Sequence, residues 1–120
     1  MKIKPLEVTK EFTPEWNGNR DLPYGEQVRI TLKRFPSAIE RAELVKITQN
    51  KSGDTQTIWD YAKAMSYIEK IENLWIGDNE IKTAGSLIAA VEPALYGLIT
   101  EITIFIMLGD PAMNEGELPA

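Results

Sequence analysis

The sequence predicts a mainly α protein of three or four helices, with a short N-terminal β-ribbon or extended arm as a minor β component. Three observations lead there. Apolar residues recur at helical spacing over Pro36–Thr48, Thr57–Trp75 and Ala84–Leu108. A single stretch, Glu26–Phe35, alternates with period two. Residues 1–25 carry turn signals instead: Thr13-Pro14, Asn17-Gly18-Asn19 and Leu22-Pro23.

Residues 1–25 read as an irregular arm whose Leu6, Val8, Phe12 and Trp16 give it enough apolar surface to dock. Val28, Ile30 and Leu32 alternate with Arg29, Thr31 and Lys33, which predicts a half-buried strand. Glu7–Phe12 has a similar alternation and is expected to pair with it. Such a ribbon needs a helix on its apolar face. Ser37 followed by Glu40 is a capping box opening a helix to about Thr48, with Ile39, Ala42 or Glu43, Leu44 and Ile47 as its apolar stripe. Asn50–Gln56 is a polar turn. Thr57–Trp75 is expected to be the second helix, with Ile58, Tyr61, Ala62, Met65, Ile68, Ile71 or Glu72, and Trp75 pointing inward. After a turn at Ile76–Lys82, Thr83 is placed to cap the last helix, Ala84 to about Leu108. Pro93 lacks an N–H and crowds the preceding turn, so a kink or break is expected near Ala89–Pro93. Gly109-Asp110-Pro111 stops the helix. The expected organisation is an arm at 1–25, one strand-plus-helices domain at 26–109 and a loose acidic tail at 110–120.

A chain of 120 residues with 43% apolar and 26% charged content has the composition of one globular domain. Thirteen basic against 18 acidic residues give a net charge of -5 and no basic run, so nucleic acid is not an expected partner. Absence of cysteine suits a reducing compartment, and Met1-Lys2-Ile3-Lys4-Pro5 turns polar before an apolar leader can form. A cytoplasmic location is expected. Glu92, Pro93 and Glu101 interrupt the one long apolar stretch, whereas a membrane span needs roughly 20 mostly apolar residues. No membrane association is expected.

Histidine and cysteine are both absent, which removes His- or Cys-based nucleophilic triads and zinc sites. Carboxylate chemistry remains. Glu69 and Glu72, three apart on the expected second helix, could share a pocket, but Lys63 and Lys70 beside them make a solvated charged face the stronger reading. Asp78-Asn79-Glu80 lacks the spacing of a calcium loop and reads as a plain turn. Glu92 and Glu101 interrupt an apolar helix and are expected to mark its solvent stripe. The chain is therefore expected to be no enzyme and to hold no cofactor or metal.

The apolar residues of the last helix wrap more than one face. Such a helix is either central to the core or lends a face to a partner, and both readings stand. Leu95, Leu98, Ile102, Phe105 and Ile106 are its candidate protein-binding residues, with Phe12 and Trp16 of the arm beside them. A protein client and self-association are the partners expected.

The segment Lys4-Pro5-Leu6-Glu7-Val8-Thr9-Lys10-Glu11-Phe12-Thr13-Pro14-Glu15-Trp16-Asn17-Gly18-Asn19, the strand end Arg34-Phe35-Pro36-Ser37, and Tyr67-Ile68-Glu69-Lys70-Ile71-Glu72-Asn73-Leu74 resemble small tail-assembly chaperones of long-tailed bacteriophages and prophages. The resemblance covers about the first three-quarters of the chain. It implies a non-enzymatic protein of the host bacterial cytoplasm that binds the tape measure protein and helps recruit tail-tube subunits. Many members of that family are also made in a longer, frameshifted form. It transfers no binding residues. The alternatives are another small phage structural protein, a secretion-type chaperone or, from a different class, a small carboxylate-dependent enzyme.

Overall fold

A computed structural model of the chain describes residues 1–3 and 11–109. The expectations for Leu6 and Val8, for most of the Glu7–Phe12 strand and for the tail 110–120 lie outside those residues. Among the described residues 41% are helical and 25% are strand, in three small antiparallel sheets, and only one helix reaches seven residues. This corrects the expectation of a mainly α fold with three or four helices. The molecule is α+β around one substantial helix.

The strand at the centre follows the alternation that predicted it. Strand β2, Arg29–Leu32, buries Ile30 and Leu32 completely and leaves Arg29 and Thr31 half-exposed. It pairs antiparallel with β1, Glu11–Phe12, in the register Phe12 opposite Ile30. The described part of the expected ribbon is therefore present. On its other side β2 pairs with β5, Ile68–Glu72, a segment read from sequence as helix.

The reason for that misreading lies in the register. Ile71 faces Ile30 and Lys70 faces Thr31, but Leu32 faces Ile68, so Glu69 is an extra residue in the strand. A bulge of this kind restores two residues three apart to the same face. Ile68 and Ile71 are both buried, and a strand thereby imitates helical spacing. The rest of the expected Thr57–Trp75 helix is divided among β4, Thr55–Trp59, the five-residue helix α2, Tyr61–Met65, and β6, Trp75–Ile76. Of the predicted inward residues, Met65 is fully buried while Ile58, Tyr61 and Trp75 stay exposed.

The expected helix at Pro36–Thr48 starts as predicted and ends early. In α1, Ala38–Glu43, Ser37 Oγ accepts from the Glu40 N–H and the Glu40 carboxylate accepts from the Ser37 N–H. The run Val45-Lys46-Ile47-Thr48 then favours strand, because β-branched side chains pack readily on a pleated surface and lose rotamer freedom in a helix. Val45–Gln49 forms β3, paired with β4 in a hairpin. Asn50 Oδ1 accepts from the Ser52 and Asp54 N–H groups in its loop, and Gly53 adopts φ +83°. Of the predicted α1 stripe only Leu44 is buried. Ile39 and Ile47 are 76% and 74% exposed.

The C-terminal region breaks where Pro93 predicted. Helix α3, Ala84–Ala89, is capped by Thr83, whose hydroxyl accepts from the Ser86 N–H. A 3-10 turn at Pro93–Leu95 leads into α4, Tyr96–Leu108, which Gly109 ends at φ +77°. The Ile76–Lys82 turn holds a small hairpin of β6 with β7, Asn79–Glu80. The core sits between α4 and the β1-β2-β5 sheet, with Leu44, Ala64, Met65 and Leu87 closing it.

Candidate functional site

Helix α4 has two different faces. Its inner face carries Leu98, Ile102, Phe105 and Ile106, all at most 2% exposed, and Leu95 just before the helix is buried with them. These five residues, read from sequence as partner-binding, lie in the core of the chain. The arm lies against them. Phe12 stacks on Phe105 with ring centroids 4.3 Å apart and planes at 8°, and Phe35 meets the same ring at 5.4 Å. The Trp16 indole N–H donates to the Ala94 carbonyl at 3.1 Å. The indole lies over Gly97, where a Cβ would meet its ring at 3.4 Å, an ordinary van der Waals contact.

Glu101 fixes the arm. Its Oε2 accepts from the Glu15 N–H at 2.6 Å and its Oε1 from the Trp16 N–H at 2.9 Å. The carboxylate thus satisfies two amides at the start of the Trp16–Asp21 3-10 turn, where no backbone acceptor is available. At the far end of that turn, the buried Asn19 side chain donates to the Pro14 and Val28 carbonyls and accepts from the Val28 N–H at 2.6 Å. Asn17 and Gly18 enter left-handed backbone, with φ of 54° and 72°, to turn it. The expected solvent stripe shared by Glu92 and Glu101 is absent for a geometric reason. The helix is broken between them, and Glu92 caps the Pro93–Leu95 turn by accepting from the Ala94 N–H.

The outer face of α4 presents Tyr96, Thr100 and Ile104, one turn apart in succession. Tyr96 is 63% and Ile104 38% exposed. Glu101 is the single charged residue of α4, and the arm engages it. Tyr96, Ile99 and Thr100 border a groove of about 390 Å³ whose far wall is Tyr61 of α2 and Ile88 of α3. The lining holds no charge. An uncharged concave surface with two tyrosines suits an apolar side chain or segment whose flanking polar groups the phenols can reach. The sequence pointed to the apolar content of this helix but to its other face. The signal nearest the groove is the second stripe, Tyr96-Thr100-Ile104, whose two hydroxyl-bearing residues line it.

Of the remaining carboxylates, Glu72, Glu40 and Asp60 are held by partners. Glu72 bonds Lys70 at 2.6 Å and Arg29 at 2.7 Å, and both keep its pKa below the ordinary value. Glu69 stands exposed at the bulge, so the pair expected to share a helix face lies on a strand with its charges apart in role. Glu40 takes a two-pronged Arg34 contact at 2.6 and 2.7 Å, the Ser37 amide and the Tyr67 hydroxyl, and its carboxyl is held far below the usual range. Burial and the Glu40 charge push the Tyr67 phenol up. Asp60 is lowered by the Lys63 N–H that it caps and by Lys46. Every resolved carboxylate shift favours the charged form, the opposite of what a general acid needs. Among the described residues no cluster of three acidic side chains is built to hold a metal ion, and no helix is long and apolar enough to cross a membrane. Compared with known protein families, curated proteins and solved structures, the chain matches none.

Proposed function

We propose that the chain is a non-enzymatic protein-binding protein, a tail-assembly chaperone of the phage or prophage type. In this reading it holds an apolar segment of the tape measure protein against the outer face of α4 and helps recruit tail-tube subunits in the host cytoplasm. The observation that supports it most is the uncharged Tyr61, Ile88, Tyr96, Ile99 and Thr100 groove beside the exposed Tyr96 and Ile104. A monomeric surface tolerates scattered apolar residues, whereas a contiguous set around a concavity marks a binding face.

The test is co-purification of a tagged chain with the tape measure protein of the same genome. Tyr96→Asp, which puts a charge in the groove from an exposed position, should abolish capture while leaving thermal stability unchanged. Equal capture by wild type and Tyr96→Asp would remove the groove from the mechanism. Failure of the wild type to capture the tape measure protein would remove the chaperone reading. Mass spectrometry of purified particles separates a chaperone, absent from the virion, from a structural tail protein, present in it.

A further inference from the structure

The hairpin β3–β4 is a sheet of two strands, so the far edge of each is open, that of β4 among them. Two bonds fix the phase of the ladder: Asp60 N–H to the Leu44 carbonyl at 2.7 Å, and Asn50 N–H to the Asp54 carbonyl at 2.9 Å. Hydrogen-bonded pairs alternate in an antiparallel ladder, so Lys46/Ile58 and Thr48/Gln56 also bond inward. Thr55, Thr57 and Trp59 therefore turn their N–H and C=O groups away from β3. No described residue accepts from or donates to them.

The edge is also unguarded in sequence. Thr55-Gln56-Thr57-Ile58-Trp59 has no charge, no proline and four β-branched or aromatic residues, the features that invite another strand. The other five-residue strands differ: β5 carries Glu69, Lys70 and Glu72, and β3 carries Lys46. A lone two-stranded ribbon is marginal in water, and this one is exposed over most of its length, with Ile47 uncovered on one face and Ile58 on the other.

We propose that β4 pairs antiparallel with β4 of a second copy of this chain, giving a four-stranded sheet in the order β3, β4, β4, β3. The chain supplies a matching strand in itself, with outward amides in the phase that a two-fold axis requires. Charge selects the register. An axis through Thr57 would set Asp54 against Asp60 of the second copy at both ends, placing like charges opposite each other. An axis through Ile58 instead sets Gln56 against Asp60, exchanges bonds between Thr57 and Trp59 twice, and brings the two Ile58 side chains together at a closely spaced non-hydrogen-bonded pair. The pairing is independent of the α4 groove.

Sedimentation equilibrium of the full chain tests it, together with three variants. The wild type should be a dimer. Thr57→Pro removes an outward amide that the hairpin itself does not use, and should give a monomer with unchanged far-UV circular dichroism. Thr57→Lys, which leaves the backbone intact, should do the same and stands in if proline disturbs the hairpin. The chain has no cysteine, so Ile58→Cys should oxidise to a disulfide-linked dimer, while Ile47→Cys on the other strand should not. A wild type that stays monomeric as concentration rises overturns the proposal, including one that gains a strand only from a client. So does a dimer that persists in Thr57→Lys, or one that crosslinks through Ile47 in preference to Ile58. Retained tape-measure capture by the Thr57 variants would show that the two surfaces act separately.

Discussion

The arm and the hairpin are both peripheral segments of similar length, yet they are held in opposite ways. The described arm, from Glu11 to Gly25, is tied by Glu101, Asn19 and the Trp16 indole, and its Phe12 lies in an aromatic stack with Phe105. The hairpin from Val45 to Trp59 bonds well to itself and touches the core through its base, where Leu44 is buried and Val45 packs on the cluster. One segment has its Glu15 and Trp16 amides, its indole N–H and its buried Asn19 bonded within the chain. The other leaves a strand edge and two isoleucines to solvent. Attachment is decided by whether a segment's side chains find acceptors and apolar surface on another element, and α4 offers both on its inner face.

Four measurements would break or sharpen that contrast. Phe105→Ala removes the ring on which Phe12 and Phe35 pack, and should cost about 3–5 kcal/mol in denaturant unfolding. A much smaller loss would mean that the stack is not what joins arm and helix. Glu101→Ala leaves two amides without their charged acceptor and should cost about 1–3 kcal/mol. Amide exchange should then speed up at Glu15 and Trp16 and stay unchanged within β3 and β4.

The third concerns pH, at α1, which belongs to neither region. Glu40 ties α1 to Tyr67 and Arg34, and its folded pKa lies below its ordinary value of 4.5. A carboxylate lowered on folding stabilises fully above its unfolded pKa, and that contribution fades as pH falls through and below this value. Stability should decline on acidification below about pH 5, and Glu40→Gln should be less stable at neutral pH with a shallower decline. An unchanged slope would show that Glu40 is not linked to folding. The smallest effect is expected at the hairpin, where Ile47→Ser on an exposed position should shift stability by no more than about 0.5 kcal/mol. A larger loss would mean that Ile47 is covered in solution.

Legibility followed the range of the interaction involved. Ser37 with Glu40, Thr83, and the break at Pro93 were readable because each acts within a few residues of itself. The alternation of Val28, Ile30 and Leu32 gave β2 for the same reason. Thr57–Trp75 was not readable, because Ile68 and Ile71 keep helical spacing inside a bulged strand, and only the pairing of β5 with β2 reveals the extra residue. The candidate residues Leu95, Leu98, Ile102, Phe105 and Ile106, read as partner-binding, are all buried in the core. Which face of α4 stays open depended on where the arm docks.

Composition and spacing alone therefore determined a chain without histidine or cysteine chemistry, the Ser37 and Thr83 caps, the break at Pro93 and the apolar character of α4. Tertiary structure decided that the fold is α+β, that Glu101 binds the arm, and that no described residue covers the tyrosine-bordered face of α4 or pairs with the free edge of β4. The physical reason is one of distance. Capping and proline effects act between chain neighbours, whereas strand pairing and the covering of an apolar face join residues as far apart as Glu15 and Glu101.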